Sequence, residues 1–417
     1  MSPRPSWKKT LYAVWVAEFL AISGFGTSVP IMPFFIQDLG VHDPARISYL
    51  TGLLTAIPAL MLALFAPIWG NLADKVGRKP MLLRAMLGGA VLLLLQGLST
   101  NPWQFLVLRA LQGCVTGTVA AATLLVASNS PREEAGASLG LLQMAIFLGN
   151  SAGPMFGGFI SDRFGHRVNF FATSILLLSA GLIVLRFVKD DFRRPQTKAR
   201  SIRGLIPDFS PLRKSKALWA LLAVVAADQI AGSIASPFIP LYIQSMMPDK
   251  SAVGSMTGLI LGLGALSSAL AAFLLGKLSW RIGYRRTLVI CMTAAAAFAL
   301  PQAFVTSPLQ LLVLRLFSAF FIGGNMPSVN ALIAERAEAG KQGSVYGLSS
   351  SVSSGSNALG PTIGAAIVAS SGHFGSVFFG TSAILATAGA SIAFFLRRGR
   401  STAAAATPPA AAITTKD

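Results

Sequence analysis

Apolar residues along this chain come in long runs separated by short polar connectors, with no strict alternation of the kind a strand requires. The runs lie at roughly 11–37, 48–69, 80–98, 103–127, 136–160, 168–187, 217–245, 252–275, 286–305, 308–333, 343–370 and 374–396. Each approaches the ~20 residues a helix needs to cross the hydrocarbon layer. The pattern predicts an all-α integral membrane chain of twelve transmembrane helices, termed spans 1 to 12. Pro58, Pro154 and Pro361 fall inside runs. They do not argue against helix here, because neighbouring helices in a membrane re-satisfy the freed backbone groups. The run from Leu11 to Phe35 is too long for a signal peptide and no small-residue cleavage site follows. Span 1 is expected to be retained.

Composition supports the same class. Of 417 residues, 53% are hydrophobic and 12% charged, against about 25% charged in a soluble domain; the mean hydropathy is +0.64. The formal charge of +19 would suit a nucleic-acid partner, but its placement excludes one. Lys and Arg crowd alternate connectors: Lys75, Arg78, Lys79 and Arg84, the central stretch 189–216, Arg281 to Arg286, and Arg397 to Arg400. The opposite connectors hold only Arg46, Arg163, Arg167 and Lys250. That bias sets topology and puts both termini in the cytoplasm of a multi-pass plasma (inner) membrane protein. The expected divisions are a cytoplasmic N-terminus at 1–10, a six-helix bundle at 11–188, a basic linker at 189–216, a second six-helix bundle at 217–397 and a disordered tail at 398–417. Cys114 and Cys291 lie inside spans as small core residues, and no disulfide, metal site or cofactor motif is implied.

The two halves repeat. Shifting the chain by 206–207 positions superposes Pro30 and Pro33 on Pro237 and Pro240, and Gly70 and Gly77 on Gly276 and Gly283. The same shift brings Arg109 onto Arg315 and Gly153-Pro154 onto Gly360-Pro361. Parallel repeats of this kind place a substrate site where the halves meet near mid-membrane.

Between spans 2 and 3 the chain reads Gly70-Asn71-Leu72-Ala73-Asp74-Lys75-Val76-Gly77-Arg78-Lys79. This resembles the signature loop of the major facilitator superfamily. Glycines there allow a tight turn, Asp74 can face the positive end of a neighbouring helix (span 11 in that family), and Arg78 and Lys79 suit the anionic lipid face. The second copy has Trp280 in place of Asp74, so the acidic latch is expected in the first half alone. Span 4 carries Arg109-x-x-Gln112-Gly113. Span 5 carries Gly149, Gly153, Pro154, Gly157 and Gly158, similar to the motif of the twelve-helix drug:proton antiporter branch. The resemblance implies a monomeric secondary transporter with a small-molecule substrate, protons and the lipid bilayer as partners. It implies rocking of the two bundles and a role for Arg109 in proton coupling.

Of fifteen acidic residues, Glu18 in span 1 and Asp228 in span 7 fall within the membrane. Intramembrane ionisable groups are costly and functional by default. Asp228 is expected near the midplane, as the principal proton carrier; Glu18 is expected shallower, as a proton or cation site. A switching Asp228–Arg315 pair is possible by depth. Gln112, Gln143, Phe147, Gln229, Arg315, Asn325, Asn330 and Asn357 are further cavity candidates, since amides among apolar residues suit an adaptable pocket. The function implied is export of drug-like compounds in exchange for protons, the alternative being a nutrient or metabolite transporter of the same superfamily. No phosphate loop or H-E-x-x-H occurs and no Gly-x-Ser-x-Gly is set as a nucleophile elbow, so an enzyme or ATP-driven pump is not expected.

Overall fold

The structure, a computed structural model, describes residues 7–131, 134–189, 215–336 and 342–395. The central linker and the C-terminal tail fall almost wholly outside these residues. Span 1 is α1 (Trp7–Thr27) followed by the short α2 (Met32–Asp38), and spans 2 and 3 are α3 (Pro44–Val76) and α4 (Arg78–Gly97). Span 4 is broken into α5 (Pro102–Val115) and α6 (Thr118–Asn129); spans 5 and 6 are α7 (Ala135–Phe164) and α8 (His166–Phe187). The second half repeats the plan. Span 7 is α9 (Lys216–Ala235) with α10 (Ile239–Met246), and spans 8 and 9 are α11 (Val253–Ile282) and α12 (Tyr284–Ala299). Span 10 is broken into α13 (Pro308–Gly323) and α14 (Asn325–Arg336), followed by α15 (Gln342–Ser371) and α16 (Val377–Phe395).

Among the described residues, eleven of the twelve spans are long and apolar enough to cross a membrane. The exception is α15, 30 residues long and about 45 Å at 1.5 Å per residue. Its sequence is diluted by Ser349, Ser350, Ser351, Ser353, Ser354 and Ser356. It packs between α3 and α9, so part of its surface meets protein and need not be oily.

Several boundaries differ from expectation. Spans 1 and 7 are interrupted after Thr27 and Ala235 by the paired prolines, which remove backbone donors. The signature loop is hardly a loop. Helix continues through Gly70 to Val76, and the turn is made at Gly77, with φ +98, a conformation open to glycine. Its counterpart Gly283, φ +96, turns α11 into α12 in the same way.

Spans 1–6 and 7–12 form two bundles, joined where α7 packs on α11 and α3 on α15. One apolar cluster, from Ile31 and Leu54 across to Phe238, Val253 and Ala365, draws on both halves. All its cross-bundle members lie toward the side opposite the chain termini, called distal here. The clusters nearer the termini, around Leu125 and Leu332, each belong to one half. Among the described residues the bundles are therefore sealed distally and parted on the terminal side.

Candidate functional site

The breaks in spans 4 and 10 organise the membrane interior. In span 4 the helix stops at Val115 and restarts at Thr118 through Gly117, φ +122. Interrupting a helix frees carbonyls that must find donors. Trp69 Nε1 donates to the Cys114 carbonyl at 2.6 Å and an Arg84 guanidinium nitrogen donates to that of Thr116 at 3.4 Å. Arg84 also stacks on Trp69, 3.7 Å from the ring centroid. The charge pattern alone puts Arg84 in a connector; it stands inside span 3 as a strut for the break. The Gly117 and Gly323-Gly324 positions are the sequence signal for both breaks.

Each buried carboxyl group meets one restarted helix. Thr118 Oγ1 donates to Glu18 Oε1 at 2.8 Å, and Asn325 Nδ2 donates to Asp228 Oδ1 at 2.6 Å. Glu18 is fully buried and Asp228 nearly so. α1 starts at Trp7 rather than near residue 11, so Glu18 lies about 16 Å along its helix, against about 18 Å for Asp228 along α9. Neither acid is paired with arginine: the one salt bridge among the described residues joins His166 to Asp38 at the distal surface. The Asp228–Arg315 pair is not formed.

Arg109 and Arg315 differ for a reason written into their neighbours. Pro58 has no N–H to offer the Leu54 carbonyl four residues back. Arg109 Nε supplies the missing bond at 3.2 Å, while its Nη1 donates to Gln112 Oε1 at 3.0 Å. In the second half Gly264 stands where Pro58 does, 206 positions on, so its helix carbonyl is not orphaned. Arg315 packs its side chain against Gly264 and is half-buried.

The glycine motif of span 5 faces two ways. A Cβ at Gly149, Gly153 or Gly157 would strike span 1, at Gly157 against the Thr27 carbonyl oxygen. These positions close the first bundle internally. A Cβ at Gly158 would strike the Gly254 carbonyl oxygen of span 8, and Gly258 and Gly262 of span 8 return the contact to Pro154 and Met155. Ser151 Oγ donates to the Gly262 carbonyl at 2.8 Å. At the distal end Asp162 accepts from the backbone amides of Gly254 at 3.0 Å and Ser255 at 2.6 Å. A carboxylate of one bundle thus caps the first helix turn of the other. In the sequence Asp162 is one more acid at a helix end, and nothing there marks this role.

The Major Facilitator Superfamily model matches residues 14–253 and 230–415 of the chain. The chain belongs to the major facilitator superfamily. Among its relatives in that superfamily is the Multidrug resistance protein MdtG of Serratia proteamaculans (strain 568), 33% identical over 392 residues, which cover 92% of this chain and 94% of the relative. The MdtG of Citrobacter koseri is 34% identical over 381 residues, 91% of this chain and 93% of the relative. Solved superfamily folds agree at lower identity. A mutant of the nucleoside transporter NupG superposes with a TM-score of 0.76 at 15% identity, covering 92% of this chain and 99% of that one. A bacterial homolog of the human lysosomal transporter Spinster, inward-facing and occupied, gives 0.77 at 13% identity, covering 95% and 98%. The chain is a multi-pass inner-membrane transporter of this superfamily and not an enzyme.

In superfamily terms the remaining candidates divide between the parted seam and the bundle interiors. Gln143 and Phe147 continue the Ser151–Met155 face of α7 by successive turns and are exposed where the bundles separate. Opposite them Leu266, Leu270 and Phe273 continue the Gly258–Gly262 face of α11 and are likewise exposed. Asn357 does the same on α15, one turn terminal of Pro361. Gln112 and Asn325 are instead buried within their bundles. Gln229 Nε2 donates to Ser353 Oγ at 2.5 Å across spans 7 and 11, and Asn330 is half-buried, its carbonyl taken by the Tyr346 hydroxyl. In the signature segment Gly70 is helical and unobstructed, and the Asp74 side chain lies outside the described residues. Lys79, expected at the lipid face, is placed otherwise. Its Nζ donates to the Leu185 and Val188 carbonyls at 2.9 and 2.7 Å, closing the end of α8. Arg285, 206 positions on, donates to the Ala393 carbonyl of α16 in the same manner.

Proposed function

We propose that this transporter exports small organic, drug-like compounds in exchange for protons, by alternately opening a seam between its two bundles. Both termini and the basic connectors lie in the cytoplasm in this reading, so the parted terminal side is the cytoplasmic entrance. The protein acts as a monomer, and units 11–188 and 217–397 rock against each other around the linker 189–216.

The observation that carries the reading is the pair of carboxyl groups buried within spans 1 and 7, one in each bundle, with a single hydrogen-bond donor each and no arginine partner among the described residues. A carboxylate so placed is costly when charged and is comfortable neutral, so a proton can be held or released according to which side admits water. Asp228 and Glu18 are the proton carriers. Arg109 keeps the span 2–span 4 contact intact at Pro58 and acts on coupling through that contact. The name of the MdtG relatives supports a multidrug substrate range, and the exposed mix of Gln143, Phe147, Asn357 and aliphatic side chains along the seam suits amphipathic compounds.

Ethidium efflux from cells carrying the transporter, with and without a protonophore, tests the exchange. Efflux should collapse with the gradient, and Asp228→Asn and Glu18→Gln should each lose driven efflux while the protein still reaches the membrane. Full-rate efflux without a gradient, or normal pumping by both variants, would overturn the reading.

A further inference from the structure

The two acids are met by donors at equivalent positions of the duplicated scaffold. Thr118 and Asn325 are 207 positions apart, within the offset that relates the halves. Each is the first residue of the helix that restarts after a break, α6 in span 4 and α14 in span 10. Each points its side-chain donor at the buried carboxyl of the span beside it, span 1 or span 7. The acids themselves are not at the same repeat position. Glu18 maps onto Val225, and Asp228 lies three residues further, on the same helix face about one turn on. A threonine hydroxyl serves in one half and a longer asparagine amide in the other, so the residue types differ and the donor function is kept.

Two further facts mark these junctions as unfinished. Glu18 Oε2 and Asn325 Oδ1 are buried with no hydrogen-bond partner among the described residues. Buried polar atoms are satisfied in the great majority of cases, so each junction keeps an acceptor to which a further donor can bind. Among the described residues, spans 4, 5 and 6 bring no ion pair to Glu18; spans 9 to 12 bring the Cys291 thiol and no ion pair to Asp228.

We propose that Thr118 and Asn325 are the positioning residues of proton coupling, each tying the protonation of one buried carboxyl to the bend of one broken span. With the carboxyl charged, its donor and the exposed amides of the restarted helix hold it, because an anion is favoured at a helix N-terminus. With the carboxyl neutral that hold weakens and the half-helix is free to swing. The transporter then has two proton stations, one per bundle, each acting on its own hinge. This rests on the proton exchange proposed above.

The test needs no transported substrate. Spin labels at Arg186→Cys and Arg281→Cys, in a background with both native cysteines replaced by alanine, report the terminal opening in nanodiscs across roughly pH 5 to 9. The unmodified chain should switch its distance distribution with a defined midpoint. Thr118→Val and Asn325→Val each remove a donor to a charged group, which should move the midpoint to higher pH by about one unit. Thr118→Ser should restore it, and so should Asn325→Thr, which installs the residue used by the other half. Unchanged midpoints in both valine variants overturn the inference and leave proton exchange standing. A distribution independent of pH in the unmodified chain overturns the exchange reading and this inference with it.

Discussion

Replacing Asp162 tests how the distal seam is held. Its two carboxylate oxygens each receive a backbone N–H from the first turn of span 8, at 3.0 and 2.6 Å, and the bond exists only while the bundles touch distally. A hydrogen bond to a charged group contributes about 1.5–3 kcal/mol. The site is half-exposed, so the pair together is worth about 2–3 kcal/mol after screening. Asp162→Asn keeps one acceptor in place and loses the charge, a cost of about 1.4 kcal/mol, or tenfold in the balance between distally closed and open forms. Asp162→Ala removes both acceptors, and its shift should be about 30-fold or more by the same arithmetic. Spin labels at Arg46→Cys and Thr306→Cys, both exposed on the distal side, should show a long-distance population growing from Asn to Ala. The fold should be unaffected, since α7 does not use this side chain for itself. Distance distributions identical to the unmodified chain in both variants would refute the latch.

Other outcomes follow from the same geometry. Gly157→Ala should lower thermal stability, because its Cβ meets the Thr27 backbone inside one bundle, whereas Gly158→Ala should leave the melting temperature nearly unchanged and favour the distally open form; fluorescence melting and the distance measurement separate them. Arg109→Ala should destabilise by about 1–3 kcal/mol by orphaning the Leu54 carbonyl. Pro58→Ala should recover part of that loss by restoring a backbone donor, and equal stability of the single and double variants would count against the assignment. Asp74→Asn, on the terminal side, should bias the distances opposite to Asp162→Asn, and the double variant should return toward the unmodified balance.

The spans were legible because hydrocarbon thickness imposes a length that soluble helices do not share, and the repeat was legible because Pro and Gly positions survive in both halves. Other features were hidden in pairwise contacts. Arg84 sits next to Lys79 in a basic cluster, and nothing local says that one strengthens a helix break and the other caps α8. Asp162 looked like any acid at a helix end, because its partners are backbone amides of the other bundle and backbone has no signature in sequence. The serine-rich character of α15 was visible, but its meaning depended on which neighbours flank it. The hinge in span 4 could have been read from Thr116-Gly117, yet glycine also serves close packing, as Gly113 does against Pro58.

The two halves share a scaffold but divide the work of closure unequally. The repeat partner of Asp74 is Trp280, and the positions matching Asp162 are Val368 and Ala369. The first half therefore supplies the acid at the distal seam, and the signature resemblance gives it the acid on the terminal side also. The second half supplies the helix N-terminus that receives the distal carboxylate. A strictly symmetric pair of carboxylates at one seam would face like charge across a gap of low dielectric, which is unfavourable. A carboxylate against a helix N-terminus is favourable in either orientation, but one partner must give up its acid. The proton stations obey the opposite rule. Each lies within a bundle, shielded from the other, so both halves can keep an acid and a donor without mutual repulsion. Duplication is retained where the halves do not meet and broken where they do.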